Sequence, residues 1–205
     1  MNYLDVMDGF VRKFQAAKIL PESEAGPLFE GYARVASVYP RDDSDMVSSH
    51  NDLKPENILF DGNRVWLVDW ESAFLNDRYV DLAVAANFFA RDEPEEGALL
   101  STYFERPATE YEKARFYLMR QIVHTFAAAF CMVIAAAAGE RVDPEAPAEN
   151  FEELHRRMIT GEVNLASSAA QMRYAKVHLD RAIGNGRTRR FEDALVVVSD
   201  GDGRS

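Results

Sequence analysis

The first 40 residues carry hydrophobic side chains at the spacing of amphipathic helices. Between residues 3 and 20 the apolar positions recur three or four residues apart, which places them on one helical face. These positions are Leu4, Met7, Phe10, Val11 and Phe14. Proline disfavours continuation of a helix, so this helix is expected to end near Pro21 and a second one, 24–38, before Pro40.

The hydrophobic period changes from Met46 onwards and becomes typical of short strands. Two β-rich runs, 58–60 and 65–68, are separated by Asp61-Gly62-Asn63, a composition that favours a tight turn. The pattern predicts a small β-hairpin inserted into a helical chain.

The rest of the chain is predicted to be helical. Helices are expected at 79–90, 95–104 and 110–138, with loops at 41–45 and 142–150. Residues 151–183 are expected to form one helix, or two that are broken near Gly161. The fold class is therefore α+β and mostly α-helical, with one domain over 1–198 and a disordered tail over 199–205.

Composition and charge narrow the class of protein. The chain has 205 residues, 47% of them hydrophobic, and a net charge of −11, which argues against a nucleic-acid partner. Cys131 is the only cysteine, so no intrachain disulfide forms. The acidic N-terminus does not resemble a signal peptide, and the apolar run 126–138 is shorter than the roughly 20 residues that span a membrane. We expect a cytoplasmic protein without a membrane partner.

The segment 50–60, HNDLKPENILF, carries the chemistry. Its pattern is His-x-Asp, then Asn five residues after the Asp, then an apolar hairpin that ends in Asp69. This spacing and context match the catalytic and metal-binding loops of kinases. We assign Asp52 as the catalytic base, Asn57 and Asp69 as Mg²⁺ ligands, and His50 as a structural anchor of the loop.

These residues resemble the aminoglycoside phosphotransferase and choline kinase superfamily, whose fold is similar to that of protein kinases. Asp69-Trp70-Glu71 replaces the Asp-Phe-Gly of protein kinases, and the continuation WESAFLNDRYVDLA is similar to that of bacterial choline kinase-like members. The resemblance implies the C-terminal lobe of a kinase-like fold, with ATP and Mg²⁺ as cofactors. It also implies that Asp81 is a structural acid that caps the following helix and braces the catalytic loop.

The same resemblance implies an N-terminal lobe with a glycine-rich loop and a strand lysine, and neither is found before His50. The glycines there are Gly9, Gly26 and Gly31, and they are not spaced as a phosphate loop. The sequence thus looks like a large lobe alone, either part of a longer protein, which we favour, or a natural single lobe that has lost catalysis. Surface beneath a missing lobe would be exposed, so self-association is expected.

A cationic substrate that bears a hydroxyl group would need aromatic walls and a nearby negative charge. The candidates beside the motif are Trp70, Phe74 and Tyr79, with Glu71 as the acid. The resemblance to choline kinase-like members implies a choline-like amino alcohol as the preferred substrate. Two alternatives stay open: an aminoglycoside-type lobe that uses the acidic clusters 92–96 and 151–155, and a kinase-like module that binds a metabolite or a protein without phosphoryl transfer.

Overall fold

A computed structural model describes residues 3–42, 45–141, 143 and 149–201. The eight helices of this part of the chain are α1 (Tyr3–Ala17), α2 (Glu22–Val38), α3 (Tyr79–Phe89), α4 (Glu93–Phe104), α5 (Glu110–Ala137), α6 (Phe151–Ile159), α7 (Ser168–Asn185) and α8 (Arg189–Asp200). Its four strands are β1 (Met46–Ser49), β2 (Ile58–Phe60), β3 (Val65–Leu67) and β4 (Phe74–Asp77).

Helix α5 forms the centre of the helical body. Thr109 and Glu112 form a capping box that satisfies main-chain N–H groups at its start. Its small and apolar side chains allow α3, α7 and α8 to pack against it, and Phe116, Leu118 and Ile122 are fully buried. By length and composition α5 could cross a membrane, but 78% of its apolar window is buried by the rest of the protein, which is the position of a core helix.

The four strands form two antiparallel ribbons. Strand β1 pairs with β4, from Met46 opposite Asp77 to Ser49 opposite Phe74, and β2 pairs with β3. We call the β1–β4 pair the outer ribbon and the β2–β3 pair the inner ribbon. The inner ribbon is inserted in the sequence between β1 and β4, so segment 50–57 leads from the outer ribbon to the inner one and segment 68–73 leads back. The nesting brings these two connecting segments side by side, and they contain the predicted catalytic base, Asp52, and the predicted metal ligands, Asn57 and Asp69.

The structure confirms the fold class, α+β and mostly helical, and most of the helices. It shows two elements that the hydrophobic pattern did not predict: the β1–β4 ribbon and helix α8. The chain is broken into α6 and α7 after Ile159, and Gly161 adopts a positive φ of 74° there. Ser199 and Asp200 belong to α8, so the predicted tail does not begin at 199. Residues 202–205 of that tail, together with 43–44 and most of the predicted loop 142–150, lie outside the described residues.

Candidate active site

The segment that contains the predicted base is held by Asp81, in the first turn of α3. The main-chain N–H groups of His50 and Asn51 donate to its two carboxylate oxygens, at 2.6 and 2.8 Å. Asn51 has a positive φ of 63°, a conformation that asparagine tolerates better than most residues. Asp81 braces the loop as predicted. It does not cap α3, because the N-cap position belongs to Arg78, which makes no side-chain capping bond.

Asp52 is oriented through one of its two carboxylate oxygens. Its Oδ2 accepts from Lys54 Nζ at 2.6 Å and from Asn57 Nδ2 at 3.0 Å, and Asn57 Nδ2 also donates to the main-chain oxygen of Asp52 at 2.8 Å. No hydrogen bond reaches Oδ1 from the described residues, and the side chain is 37% exposed. The carboxylate is therefore fixed on one side and open to an incoming hydroxyl group on the other.

Lys54 places a positive charge within this acidic segment. Burial lowers the pKa of its ammonium group, but the hydrogen bond and charge of Asp52, together with Glu56 and Asp69, outweigh burial and raise the pKa above its usual range. Lys54 therefore remains protonated and offsets part of the negative charge around Asp52.

Asn57 and Asp69 lie next to each other and present oxygen atoms. The main-chain N–H of Val68, the residue before Asp69, donates to the main-chain oxygen of Asn57 at 3.1 Å. The amide nitrogen of Asn57 is used within the loop, so its Oδ1 is the atom left for a ligand. Asp69 is exposed, has φ 64°, and its carboxylate accepts no hydrogen bond within the described part of the chain.

This donor set fits Mg²⁺, which prefers oxygen ligands and is usually bound by one or two carboxylates together with substrate phosphates. In the described residues no group of three His, Cys, Asp or Glu side chains has the arrangement of a metal site.

His50 joins the two segments rather than facing a substrate. Its ring is 2% exposed, and Nε2 lies 2.8 Å from the carbonyl oxygen of Val68. A carbonyl oxygen only accepts, so Nε2 carries a proton and donates it to this bond. The ring also lies 4.7 Å from that of Trp70, between centroids. This is the anchoring position that the sequence predicts for His50.

The four predicted substrate-binding residues separate into two groups. Trp70, Glu71 and Phe74 directly follow Asp69 and are exposed, Trp70 and Phe74 by 51% each. Tyr79 is only 2% exposed and packs with its ring centroid 5.0 Å from the guanidinium group of Arg115. The prediction that Tyr79 contacts the substrate is wrong, because the start of α3 is covered by the helical body.

Two asparagines that the motif does not predict, Asn51 and Asn76, lie between the loops. Asn51 immediately precedes the predicted base, and Asn76 is fully buried in β4. Their amides meet at 2.7 Å across 25 residues of sequence. Only the asparagine in the turn-like segment HND gave a local signal, namely its tolerance of a left-handed backbone.

The structure is a helical lobe with two nested ribbons. The ribbons bring together the oriented carboxylate of Asp52 and the pair Asn57 and Asp69, which is the arrangement of a kinase-like phosphotransferase fold. The sequence model of the phosphotransferase enzyme family matches residues 14–117, just over half of the chain. The chain belongs to this family.

The chain is also similar to two curated sequences and to one solved structure. The chain is 34% identical over 79 residues to two sequences of Protein LicA from Haemophilus influenzae, which is 38% of this chain and 29% and 23% of theirs. The chain therefore spans less than one third of the length of these relatives. The crystal structure of a choline/ethanolamine kinase family protein from Mesorhizobium loti matches 94% of this chain and 57% of its own, with a TM-score of 0.66 and 20% identity. This likeness shows a shared fold.

Proposed function

We propose that the protein is the catalytic lobe of an ATP-dependent phosphotransferase that acts on a hydroxyl group of a small molecule. The observation that carries the proposal is the state of Asp52: Lys54 and Asn57 hold one carboxylate oxygen, and no hydrogen bond from the described residues reaches the other. Phosphoryl transfer requires mainly positioning and charge neutralisation, and this arrangement offers both.

Each residue of the site has a distinct role in this proposal. Asp52 orients the hydroxyl group of the acceptor and receives its proton. Asn57 Oδ1 and the Asp69 carboxylate would hold Mg²⁺, which neutralises the charge of the ATP phosphates when bound. His50 and Asp81 keep the two loops in place and take no part in proton transfer.

A cationic amino alcohol such as choline is the substrate class that this surface favours. Trp70 and Phe74 expose aromatic rings next to Asp69, and Glu71 adds a negative charge, a combination suited to a quaternary ammonium group. The Mesorhizobium loti protein that shares the fold is described as a member of the choline/ethanolamine kinase family, which supports this choice.

The aminoglycoside alternative gains no support from the acidic clusters. In the cluster 92–96, Asp92 caps α4 and Glu96 is buried against Arg120 and Arg190. In the cluster 151–155, the carboxylates of Glu152 and Glu153 are paired with arginines. These carboxylates are engaged within the protein, and the cavity that Glu152 lines also contains Arg91, Arg120, Arg156 and Arg181.

A binding module without catalysis is the second candidate. Lys13 lies on α1 and Lys18 in the turn that follows it, so neither lysine occupies a strand as the phosphate-binding lysine of a kinase does.

The location we propose is the cytoplasm, where ATP is available. With a net charge of −11, nucleic acid is not a proposed partner.

The test is phosphoryl transfer by the wild-type chain and by Asp52→Asn. Both are incubated with Mg²⁺ and ATP labelled at the γ-phosphate and offered amino alcohols, sugars and aminoglycosides. Asp52→Asn is expected to lower the rate at least about a hundredfold, the usual contribution of a general base. Asp193→Asn, an exposed acid of α8, serves as the matched control and is expected to keep full activity.

Binding of the nucleotide separates the two candidates. If Asp52→Asn retains MgATP binding and loses transfer, the enzyme proposal stands. Transfer that is unchanged in Asp52→Asn contradicts the role of the base. A wild-type chain that binds MgATP but phosphorylates none of the acceptors favours the binding module.

A further inference from the structure

The side chain of Asn51 lies between the catalytic segment and the segment that follows Asp69. Its Nδ2 donates to the main-chain oxygen of Ser72 at 3.0 Å, with Phe74 O at 3.4 Å and Ser49 O at 3.1 Å as further acceptors. The main-chain N–H of the same residue donates to Asp81. One residue thus connects α3, β1 and the end of the segment that contains the predicted metal ligand.

The orientation of this amide is fixed by a series of hydrogen bonds that begins in the backbone. The N–H of Asp77 can only donate, and it lies 2.9 Å from Asn76 Oδ1. Asn76 must therefore direct its Nδ2 towards Asn51, whose Oδ1 accepts it at 2.7 Å. This leaves Asn51 Nδ2 as the group that faces the carbonyl oxygens. Asn76 is completely buried, so water does not compete for these bonds.

Asp69 lies between two points at which a side chain of the catalytic segment holds a main-chain carbonyl oxygen. On its N-terminal side, His50 Nε2 holds the carbonyl oxygen of Val68 at 2.8 Å. On its C-terminal side, Asn51 Nδ2 donates to the main-chain oxygens of Ser72 and Phe74. Asp69 itself is exposed and has a left-handed backbone, so these neighbours are what determine where its carboxylate lies relative to Asn57.

We propose that Asn51 and Asn76 are positioning residues that set the metal-binding segment, and with it Asp69, against the catalytic loop. The inference rests on the proposed function, because it assigns the pair a role in Mg²⁺–nucleotide binding. Neither side chain touches the metal or the substrate. Their loss removes the side-chain hydrogen bonds to Ser72 and Phe74 and leaves only the β1–β4 pairing at this end of 68–74, so the Asp69 carboxylate is held less firmly beside Asn57.

The experiment measures metal binding and local order rather than turnover. Mn²⁺, a paramagnetic substitute for Mg²⁺, is titrated with ATP present, and free Mn²⁺ is measured by electron paramagnetic resonance. The variants are Asn51→Gly, which keeps the positive φ without strain, and Asn76→Ala. Asn87→Ala is the matched control, since Asn87 is an asparagine of α3 that is only 4% exposed and is bonded to Arg120.

Asn51→Gly and Asn76→Ala are each expected to weaken Mn²⁺ binding about tenfold, which corresponds to about 1.4 kcal/mol. Amide hydrogen exchange is expected to become faster in 68–76 in both variants. Asn87→Ala is expected to lose stability through its missing bond and to bind Mn²⁺ like the wild type.

Asp69→Ala distinguishes failure of the inference from failure of the proposed function. If Asp69→Ala binds Mn²⁺ as the wild type does, or if the wild type binds none, the proposed metal site is wrong and the inference falls with it. If Asp69→Ala loses binding while Asn51→Gly keeps it, only the positioning role is wrong. Equal losses in Asn51→Gly and Asn87→Ala would show general destabilisation and would also overturn the inference.

Discussion

At the scale of the residue, Asp81 shows how a single carboxylate orders the site. It accepts two main-chain N–H groups, from His50 and Asn51, at 2.6 and 2.8 Å. In Asp81→Asn one oxygen becomes an NH₂ group that cannot accept, so one N–H loses its partner. Because hydrogen bonds to charged groups contribute about 1.5–3 kcal/mol, we expect the free energy of unfolding in urea to fall by about 2 kcal/mol.

The control for this change is Asp193→Asn. The side chain of Asp193 is 65% exposed and its nearest arginine lies 3.5 Å away, so we expect a change below about 0.5 kcal/mol. Equal effects of the two substitutions would contradict a bracing role for Asp81.

Residues that a motif defines were predictable from the sequence, whereas residues defined by tertiary contacts were not. The spacing within 50–69 identified Asp52, Asn57 and Asp69, and the structure brings the three together. Tyr79 was assigned from its closeness in sequence, but its exposure depends on how α3 packs against α5. The Asn51–Asn76 pair requires the register of β1 against β4, which no local pattern contains.

At the scale of the element, Arg115 attaches the outer ribbon to the helical core. This residue of α5 is 3% exposed and bonds Asp77, the last residue of β4, at 2.7 Å, and Asp45, which precedes β1. Burial raises the pKa of the Asp77 carboxyl group, although the charge of Arg115 opposes the rise. The buried guanidinium group of Arg115 therefore holds both strands of the ribbon that bears the catalytic segment, and Tyr39 adds a hydrogen bond to Asp77 at 3.2 Å.

Arg115→Met is expected to destabilise the fold strongly, because it leaves the Asp77 carboxylate buried without its partner. Breaking a buried ion pair from one side costs about 3–5 kcal/mol, measurable as a lower urea midpoint at pH 7. Arg106→Met removes an arginine that is 49% exposed from its pair with Glu112, and we expect a loss of at most about 1 kcal/mol. An Arg115→Met variant as stable as Arg106→Met would show that the ribbon does not rely on this bond.

The two unpredicted elements differ in what the sequence offered. Helix α8 buries Phe191, Ala194, Leu195 and Val198 at helical spacing, and Thr188 caps its N-terminus, so its signal was present and was overlooked. Strands β1 and β4 are four residues each, and their polar side chains, such as those of Ser48 and Asn76, weaken the apolar alternation. Pairing across the inserted segment, rather than propensity, makes these residues strands.

At the scale of the whole molecule, an exposed apolar surface surrounds the inner ribbon and the segment after Asp69. Eight large hydrophobic side chains within 59–75 are 39–68% exposed: Leu59, Phe60, Val65, Trp66, Leu67, Trp70, Phe74 and Leu75. Apolar surface of this extent together with the open edges of two-stranded ribbons favours association. We propose that a second copy of the chain covers the inner-ribbon part of this surface, 59–67, in solution and leaves Trp70 and Phe74 open.

Phe60→Asp is expected to reduce this self-association, because Phe60 is the most exposed of the eight at 68%. Sedimentation velocity over a range of concentrations should show a rise in sedimentation coefficient for the wild type and a much smaller rise for the variant. Val196→Asp alters a similarly open side chain, 58% exposed on α8, and should behave like the wild type. A wild type that stays monomeric at every concentration contradicts the proposal.

The helical core also makes the stability of the protein depend on pH. His124, His155 and His178 are all buried, and Nδ1 of His124 lies 3.0 Å from Nδ1 of His178. Burial, followed by nearby histidine and arginine charges, lowers the pKa of His124 and His178, and burial lowers that of His155 to about 4. The folded state therefore keeps the rings neutral, whereas the unfolded chain protonates them near pH 6.5.

Since the unfolded state binds more protons, stability is expected to fall as the pH decreases below about 6.5, by at most about 1.4 kcal/mol per pH unit for each histidine. Urea denaturation between pH 7.5 and 5 measures this slope in a range where most carboxylates remain ionised. His155→Phe, which keeps an aromatic ring beside Phe88 and Tyr174, removes one of the three groups and should reduce the slope by up to a third. Stability that is constant over this range, or a slope that His155→Phe leaves unchanged, would mean that these rings are protonated in the folded protein or are accessible to water.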